Sequence, residues 1–504
     1  MKRWFALLLC LVMALPLGGC TSVSLVPVQQ TGDVALPLPK EKIPAAPTGD
    51  SRSESSARVS LYFISADQKQ LTPLSRTMLV KGEDTLTERT LKRLLDAEDS
   101  GPAGLMPVAP AGTRVEWIEQ SQGVVTLSLT MDALKLDAPA MCWMEAAIAD
   151  TLTALNGIRY VNVLIDGKAE SATMIPAGTL SRTDLNLTAL WTQRQDDDER
   201  LDADPALAAI GRDATLYFAG WSGDRMLPEV RPITLNTHEF AEVLIEELRK
   251  GPRGTAQAHA VLPQDARLKY APDIDMLDDG RRVLKLAFEG DLFALLKRDG
   301  LSAWQLFGAL SLTLCRFIPE LDGLRIWVGD DTSLVTKLTD GVRRYSFPDG
   351  VVSPDMFEVG RVARLYFAGA DGALTAVDRL VDQYSAVSPR ALLEQLIDGP
   401  LVFDGGAKPV MPDGVADADL LGIRIEERTA LVNLSSNFYR LCQGLTPDEE
   451  RNLIYAMVNT LCELDFVNRV RFYVAGATVD TLTRDIFLRG ALLPNPGLVG
   501  RTDH

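Results

Sequence analysis

The chain has 504 residues, more than three times a typical domain, so two to four separately cored domains are expected. Hydrophobic residues make up 46%, charged residues 24% and aromatic residues 7%, which excludes wholesale disorder and a multi-span membrane protein. The 51 Lys and Arg are outnumbered by 68 Asp and Glu, and the net charge of -17 excludes nucleic acid as a natural partner. Only three histidines occur, His238, His259 and the terminal His504, which leaves little material for imidazole metal sites or His-based triads.

The first predicted element is a signal peptide over residues 1–19. Lys2 and Arg3 precede an uncharged run from Trp4 to Leu17, too short to span a bilayer, which needs about 20 apolar residues. The run closes on Leu17-Gly18-Gly19-Cys20, which resembles a bacterial lipobox (17–20), so Cys20 is the expected lipidation site and the first residue of the mature chain. Two or more acyl chains there, such as palmitate, would give stable membrane anchoring. Removal of residues 1–19 takes away Lys2 and Arg3 and leaves -19 in place of -17. Residues 21–56, rich in proline and then serine, read as a disordered tether.

A threefold repeat follows. Leu61-Tyr62-Phe63, Leu216-Tyr217-Phe218 and Leu365-Tyr366-Phe367 each lie in a β-type run, and a Gly-Pro pair follows at Gly101, Gly251 and Gly399. Thr151, Thr313 and Thr460 stand in helical patterns, each 16 residues before a glycine that closes a strand, at Gly167, Gly329 and Gly476. Each copy reads as strand, strand, helix, two strands, helix, strand. Thr85 with Glu88 and Ser388 with Pro389 mark first-helix starts, and a loop proline (Pro110, Pro263, Pro412) precedes the second strand pair. The second helices are expected at Met141–Leu155, Ser302–Phe317 and Thr446–Leu464. The fold class is therefore α+β, tandem repeats of a ββαββαβ two-layer unit, a mixed sheet with helices packed on one face. The expected domains are 57–170, 212–331 and 361–476, with an acidic linker at 181–211, a second linker at 332–360 and a C-terminal extension at 477–504. The run Asp196-Asp197-Asp198-Glu199 is expected to repel itself and stay solvated.

The order Leu-Tyr-Phe, helix, Gly-Pro, loop proline, apolar strand, Thr-Leu and a closing strand at Asp166-Gly167 resembles the GerMN domain of GerM-type spore-formation and germination lipoproteins. The match is fullest in the first copy, where Gly104-Leu105-Met106 and Gly112-Thr113 also fit, whereas Gln264 and Asp265 depart from it in the second and residues 403–409 in the third. The resemblance implies an extracytoplasmic, non-enzymatic lipoprotein whose domains are like ring-building modules of membrane-spanning assemblies.

The candidate chemical sites carry bland readings. The Leu-Tyr-Phe triplets read as covered central strands, and the three threonines, with no base recurring beside them, as hydroxyls bonded to the preceding helical turn. Cys142, Cys315, Cys442 and Cys462 read as free, largely buried thiols. A Cys442–Cys462 disulfide is excluded, because about 18 helical residues at about 1.5 Å each separate them. Gly220-Trp221-Ser222-Gly223 is no nucleophile elbow, and His238 and His259 read as solvated. No catalytic, metal or cofactor-binding residue is assigned; Cys20 is the one modification site. The expected function is a membrane-anchored structural element in spore formation or germination. Its partners would be envelope or sporulation-complex proteins with basic surface. Alternatives are a binding module for a small nutrient or cell-wall glycan, and a cell-wall-modifying enzyme.

Overall fold

The computed structural model describes residues 43–81, 84–96, 99–204, 208–221, 224–254, 257–330, 332–339, 343–402, 404–483 and 486–500. The signal peptide, the lipobox with Cys20 and the tether up to residue 42 lie outside the described residues. The chain divides into a unit ending at Ala45 and a second of residues 46–504, which contains every element named below.

A short strand β1 (Ser51–Arg52) leads into a first block. Its hairpin β2 (Ser55–Ser65) and β3 (Leu71–Val80) is followed by α1 (Leu86–Leu95) and β4 (Leu105–Met106), and the sheet order is β3-β2-β4. A second sheet holds β5 (Val115–Ser121), β6 (Val124–Leu129), β7 (Tyr160–Ile165) and β8 (Lys168–Ala169), with α2 (Ala138–Thr153) between β6 and β7 in the chain. That crossover makes β6 and β7 parallel while β5 and β6 are antiparallel, as an intervening helix requires.

After α3 (Leu187–Ala203) the middle block repeats the scheme. It comprises β9 (Ile210–Gly220), β10 (Met226–Leu235), α4 (Phe240–Arg249), β11 (Ala258–His259), β12 (Asp273–Met276), β13 (Arg282–Phe288), α5 (Leu292–Asp299), α6 (Ala303–Cys315) and β14 (Gly323–Val328). Its sheets are ordered β10-β9-β11 and β12-β13-β14-β17, where the small hairpin β15 (Lys337–Thr339) and β16 (Arg344–Ser346) precedes β17 (Val351–Val352). The last block holds β18 (Arg361–Ala368), β19 (Leu374–Val381), α7 (Pro389–Asp398), β20 (Leu420–Glu426), β21 (Thr429–Leu434), α8 (Ser436–Cys442), α9 (Pro447–Cys462) and β22 (Arg469–Val474). β21 and β22 are again parallel, and a single bridge from Ala368 to Lys408 stands where the other blocks have a third strand.

Local chemistry sets these boundaries. Thr85 accepts the Glu88 N–H at 3.1 Å and Ser388 that of Ala391 at 3.3 Å, so both caps fall at their expected residues. Asp166-Gly167 and Ala475-Gly476 take positive φ at both positions, a backbone twist that suits a tight hairpin and favours glycine second. Each block has its own apolar cluster, built around Phe63, Phe218 and Phe367.

Several expectations change. Each block has two sheets, and its long helix packs on both, α2 touching β2 and β7. The segment 181–211 is no open linker: α3 is capped by Asn186, which accepts the Ala189 N–H at 3.0 Å, and anchored by the buried Leu187 and Leu201. Of its acidic run, Asp196 and Glu199 stay exposed, whereas Asp197 is paired to Arg212 at 2.9 Å and Asp198 accepts the N–H groups of Met174 and Ile175. Among the described residues of 332–360, β15 pairs with β16 and β17 pairs with β14 of the middle block. Helices α5 and α8 were not expected.

The end of the expected tether is also ordered. β1 pairs in parallel with β20, Asp50 forms an ion pair with Arg390, and the Pro47 carbonyl accepts from Asn433 at 2.8 Å. The chain is therefore clamped onto its last block before entering its first. In the first block α1 ends at Leu95, well before Gly101, which opens a short 3-10 turn. In the other two blocks Gly251, one residue past the Lys250 cap, and Gly399, itself the cap, close the helix and take positive φ.

Candidate interaction surfaces

The two most regular sequence signals meet in space. The Thr151 hydroxyl accepts the Tyr62 N–H at 2.9 Å, Thr313 that of Tyr217 at 3.0 Å, and Thr460 that of Tyr366 at 3.2 Å. The hydroxyls reach across to the strand, not back along their own helix. The reason lies in the sheet: β2 meets β4 only at Ile64 and Ser65, so the Tyr62 N–H has no strand partner on that side and would be an orphaned buried donor. Tyr62 and Tyr217 face Pro73 and Pro228 on the neighbouring strand, a pairing that asks nothing of the missing proline N–H.

A third recurrent residue escaped the sequence reading. Arg231 and Arg379, three places after the residues opposite the two tyrosines, hold the C-terminal ends of α4 and α7. Arg231 donates to the Glu247 carbonyl at 3.0 Å and to that of Gly251, and Arg379 to the Gln395 carbonyl at 3.3 Å and to that of Gly399 at 3.0 Å. Both guanidiniums lie over the triplet phenylalanines, Phe218 at 5.2 Å and Phe367 at 5.4 Å. The first-block equivalent, Arg76, instead bonds Asp99 at 2.9 Å. The signal was present as an arginine 13 or 14 residues after each tyrosine.

The tyrosine hydroxyls meet three different surroundings, two of them beside the C-caps of the long helices, Arg316 of α6 and Glu463 of α9. Arg182 donates to Tyr62 at 2.6 Å. Tyr217 is sealed against the first block: Arg316 donates to its hydroxyl at 2.9 Å and to both Glu119 oxygens at 2.7 and 3.2 Å. Asn162 of β7 extends this network by donating to Thr126 and Thr215, both at 3.0 Å. Tyr366 donates to Glu463 at 2.5 Å on a partly open face. Met226 holds the stretch that leads into the last block, its N–H donating to Glu358 at 2.8 Å and its carbonyl accepting from Gly360 at 2.9 Å, and Leu380 of β19 is buried in the middle block's apolar cluster. The last block thus joins the middle one through Leu380. It joins the first through Gln383, which accepts the Gln120 N–H at 3.1 Å.

Glu145 on α2 is buried near this junction, and burial lifts its carboxyl to about 7 against the pull of Arg194. The four cysteines of the described residues are free, with Cys142, Cys315 and Cys442 buried and Cys462 partly so. Burial pushes Cys142 to about 11 and Cys315, Cys442 and Cys462 to about 12. His238 is exposed beside Asp202 at 3.2 Å, whereas His259 sits in a strand with its ring 4.7 Å from that of Trp221. Among the described residues no group of three or more His, Cys, Asp or Glu could hold a metal ion, and no helix is long and apolar enough to cross a membrane.

The fold is thus an α+β chain of small two-sheet blocks with mixed pairing. Residues 60–171 and 364–480 match the model of the Germane family, described as sporulation and spore germination. No curated protein matches. Among solved structures, the tandem GerMN domains of the sporulation protein GerM from Bacillus subtilis are 19% identical, cover 59% of this chain and 99% of theirs, with a TM-score of 0.24. The first GerMN domain of that protein, also 19% identical, covers 26% and 97% with a TM-score of 0.20. A candidate lipoprotein from Clostridium perfringens, 19% identical, covers 28% and 92% with a TM-score of 0.17. The Germane segments tie the chain to spore processes.

Proposed function

We propose that this chain is a lipid-anchored, non-catalytic assembly element of sporulation or germination, held on the outer face of the cytoplasmic membrane through Cys20. The observation that carries the reading is the use made of its reactive-type side chains. The recurrent threonine hydroxyls terminate strand N–H groups, the recurrent arginines close helix ends, and Arg316 with Glu119 fastens one block to another. Residues so committed build a fixed surface. Residues 212–331 are, on this reading, a third and diverged GerMN-like domain, because they repeat the strand order, the tyrosine–threonine bond and the arginine closure.

Three domains on one anchor raise one another's effective concentration at a multi-subunit partner, so weak contacts sum to stable capture. The charge of the mature chain favours basic partner surfaces, with capture weakening as salt rises. The test is crosslinking and recovery from sporulating cells, with Cys20→Ala as the unanchored control. Recovery of envelope proteins by the anchored chain supports the reading. Recovery of none, together with turnover of a cell-wall fragment by the purified chain, would replace it with the enzyme.

A further inference from the structure

In every block the first strand of the mixed sheet has one side turned away from its sheet partner, and the three blocks treat that edge differently. On β5 the outward N–H of Gln120 donates to the Gln383 side chain at 3.1 Å. On β20 the edge carries β1 as an added parallel strand: Ile423 donates to Asp50 at 2.9 Å and the Ile425 carbonyl accepts from Ser53 at 2.8 Å. On β12 the corresponding residues are Ile274 and Met276. They alternate with Asp275, which shares the register of the bonded pair Leu277 and Arg281. No other strand pairs along this edge among the described residues, and the Met276 N–H turns to its own neighbour, the Asp275 carboxylate, at 3.1 Å.

The edge is apolar and adjoins a cavity of about 470 Å³ lined by Met174, Phe240, Pro272, Ile274, Ile318 and Pro319. Ile274 is 40% exposed, Met276 67% and Met174 68%. Its charged lining is chiefly acidic. Glu170, Glu239 and Glu242 stand there, while Arg282 is already paired with Glu320 and His238 with Asp202. Asp273 adds negative charge along β12 itself, whereas Asp275 is already paired with Lys285 at 3.0 Å. An open apolar edge recruits strands, and the carboxylates select which ones.

We propose that the outer edge of β12 captures an extended basic segment of a partner protein. The segment adds as a parallel strand, as β1 does on β20, and places one apolar side chain in the adjoining cavity. This deepens the assembly reading above and rests on it. The probe is the heptapeptide Lys-Val-Lys-Ile-Lys-Val-Lys, added to the mature chain while backbone amide exchange is followed. Exchange at Ile274 and Met276 should slow at least about tenfold, with Gln120 and Ile423 unchanged. Ile274→Pro, tolerated at an edge, should abolish the protection, and Glu170→Gln with Glu242→Gln should weaken binding by about tenfold without altering the fold. The proposal is overturned if the two amides exchange unchanged at millimolar peptide, or if Glu-Val-Glu-Ile-Glu-Val-Glu protects them equally. Wild-type recovery of envelope partners by Ile274→Pro would also sink it, while leaving the assembly reading intact.

Discussion

The threonine–tyrosine bond is the smallest unit of this architecture. Thr313 and Tyr217 are both fully buried, so Thr313→Val keeps the shape and leaves a donor without partner, a loss of about 1–3 kcal/mol. Urea unfolding of the variant should show that drop, and an unchanged midpoint would mean that the hydroxyl only fills space. Both residues were legible as repeated letters, but their contact was not, because 96 residues separate them and helix periodicity offered a nearer acceptor. Glu145 supplies a pH test. Its carboxyl is raised by burial to about 7, above the unfolded value near 4.3, so the native state holds the proton longer. Stability should therefore fall as pH rises from about 4.3 to about 7. Glu145→Gln should flatten that slope in thermal melts across the range; an identical slope would assign it elsewhere. The buried thiols, raised to about 11 or 12, should resist iodoacetamide at pH 8 in the folded chain and react in urea. Stoichiometric labelling of the native protein would contradict their burial.

At the scale of elements, the arginine closures show why the Gly-Pro signal recurs. Gly399 ends α7 at positive φ, and Arg379 holds its carbonyl while pairing with the nearly buried Asp404 at 2.7 Å. Arg379→Met would strip that carboxylate of its cation, and breaking such a buried pair costs about 3–5 kcal/mol. Denaturant unfolding of the last block should register it, whereas Arg364→Met, whose partner Asp378 lies in an exposed pair, should change stability by under about 1 kcal/mol. The caps at Thr85 and Ser388 and the alternation of the strands were readable locally, since each depends on neighbours within one turn or one pleat. Helix α3 was not, because Asp197 is paired by Arg212 and Asp198 is bonded by the N–H groups of Met174 and Ile175, supplied from other segments. The clamp of β1 on β20 was hidden for the same reason: it joins Ser51 to Arg424, and nothing in a proline-rich run announces a strand partner so distant.

In the whole molecule, the blocks are fastened into one body able to present several contact surfaces together. Arg316 and Tyr217 seal the first junction, Leu380 buried in the middle block's cluster the second, and Gln383 returns the last block to the first. Bodies joined by buried polar networks open together, whereas beads on linkers open separately. The amides of Tyr62, Tyr217 and Tyr366, each bonded to a threonine, report the opening of each block. The most direct measurement is hydrogen exchange at these three amides in the wild-type chain and in Phe218→Ala, which hollows the middle core at a cost of about 3–5 kcal/mol. Exchange at Tyr62 and Tyr366 should accelerate along with Tyr217; acceleration at Tyr217 alone, with the other two amides as protected as before, would show that the blocks open separately.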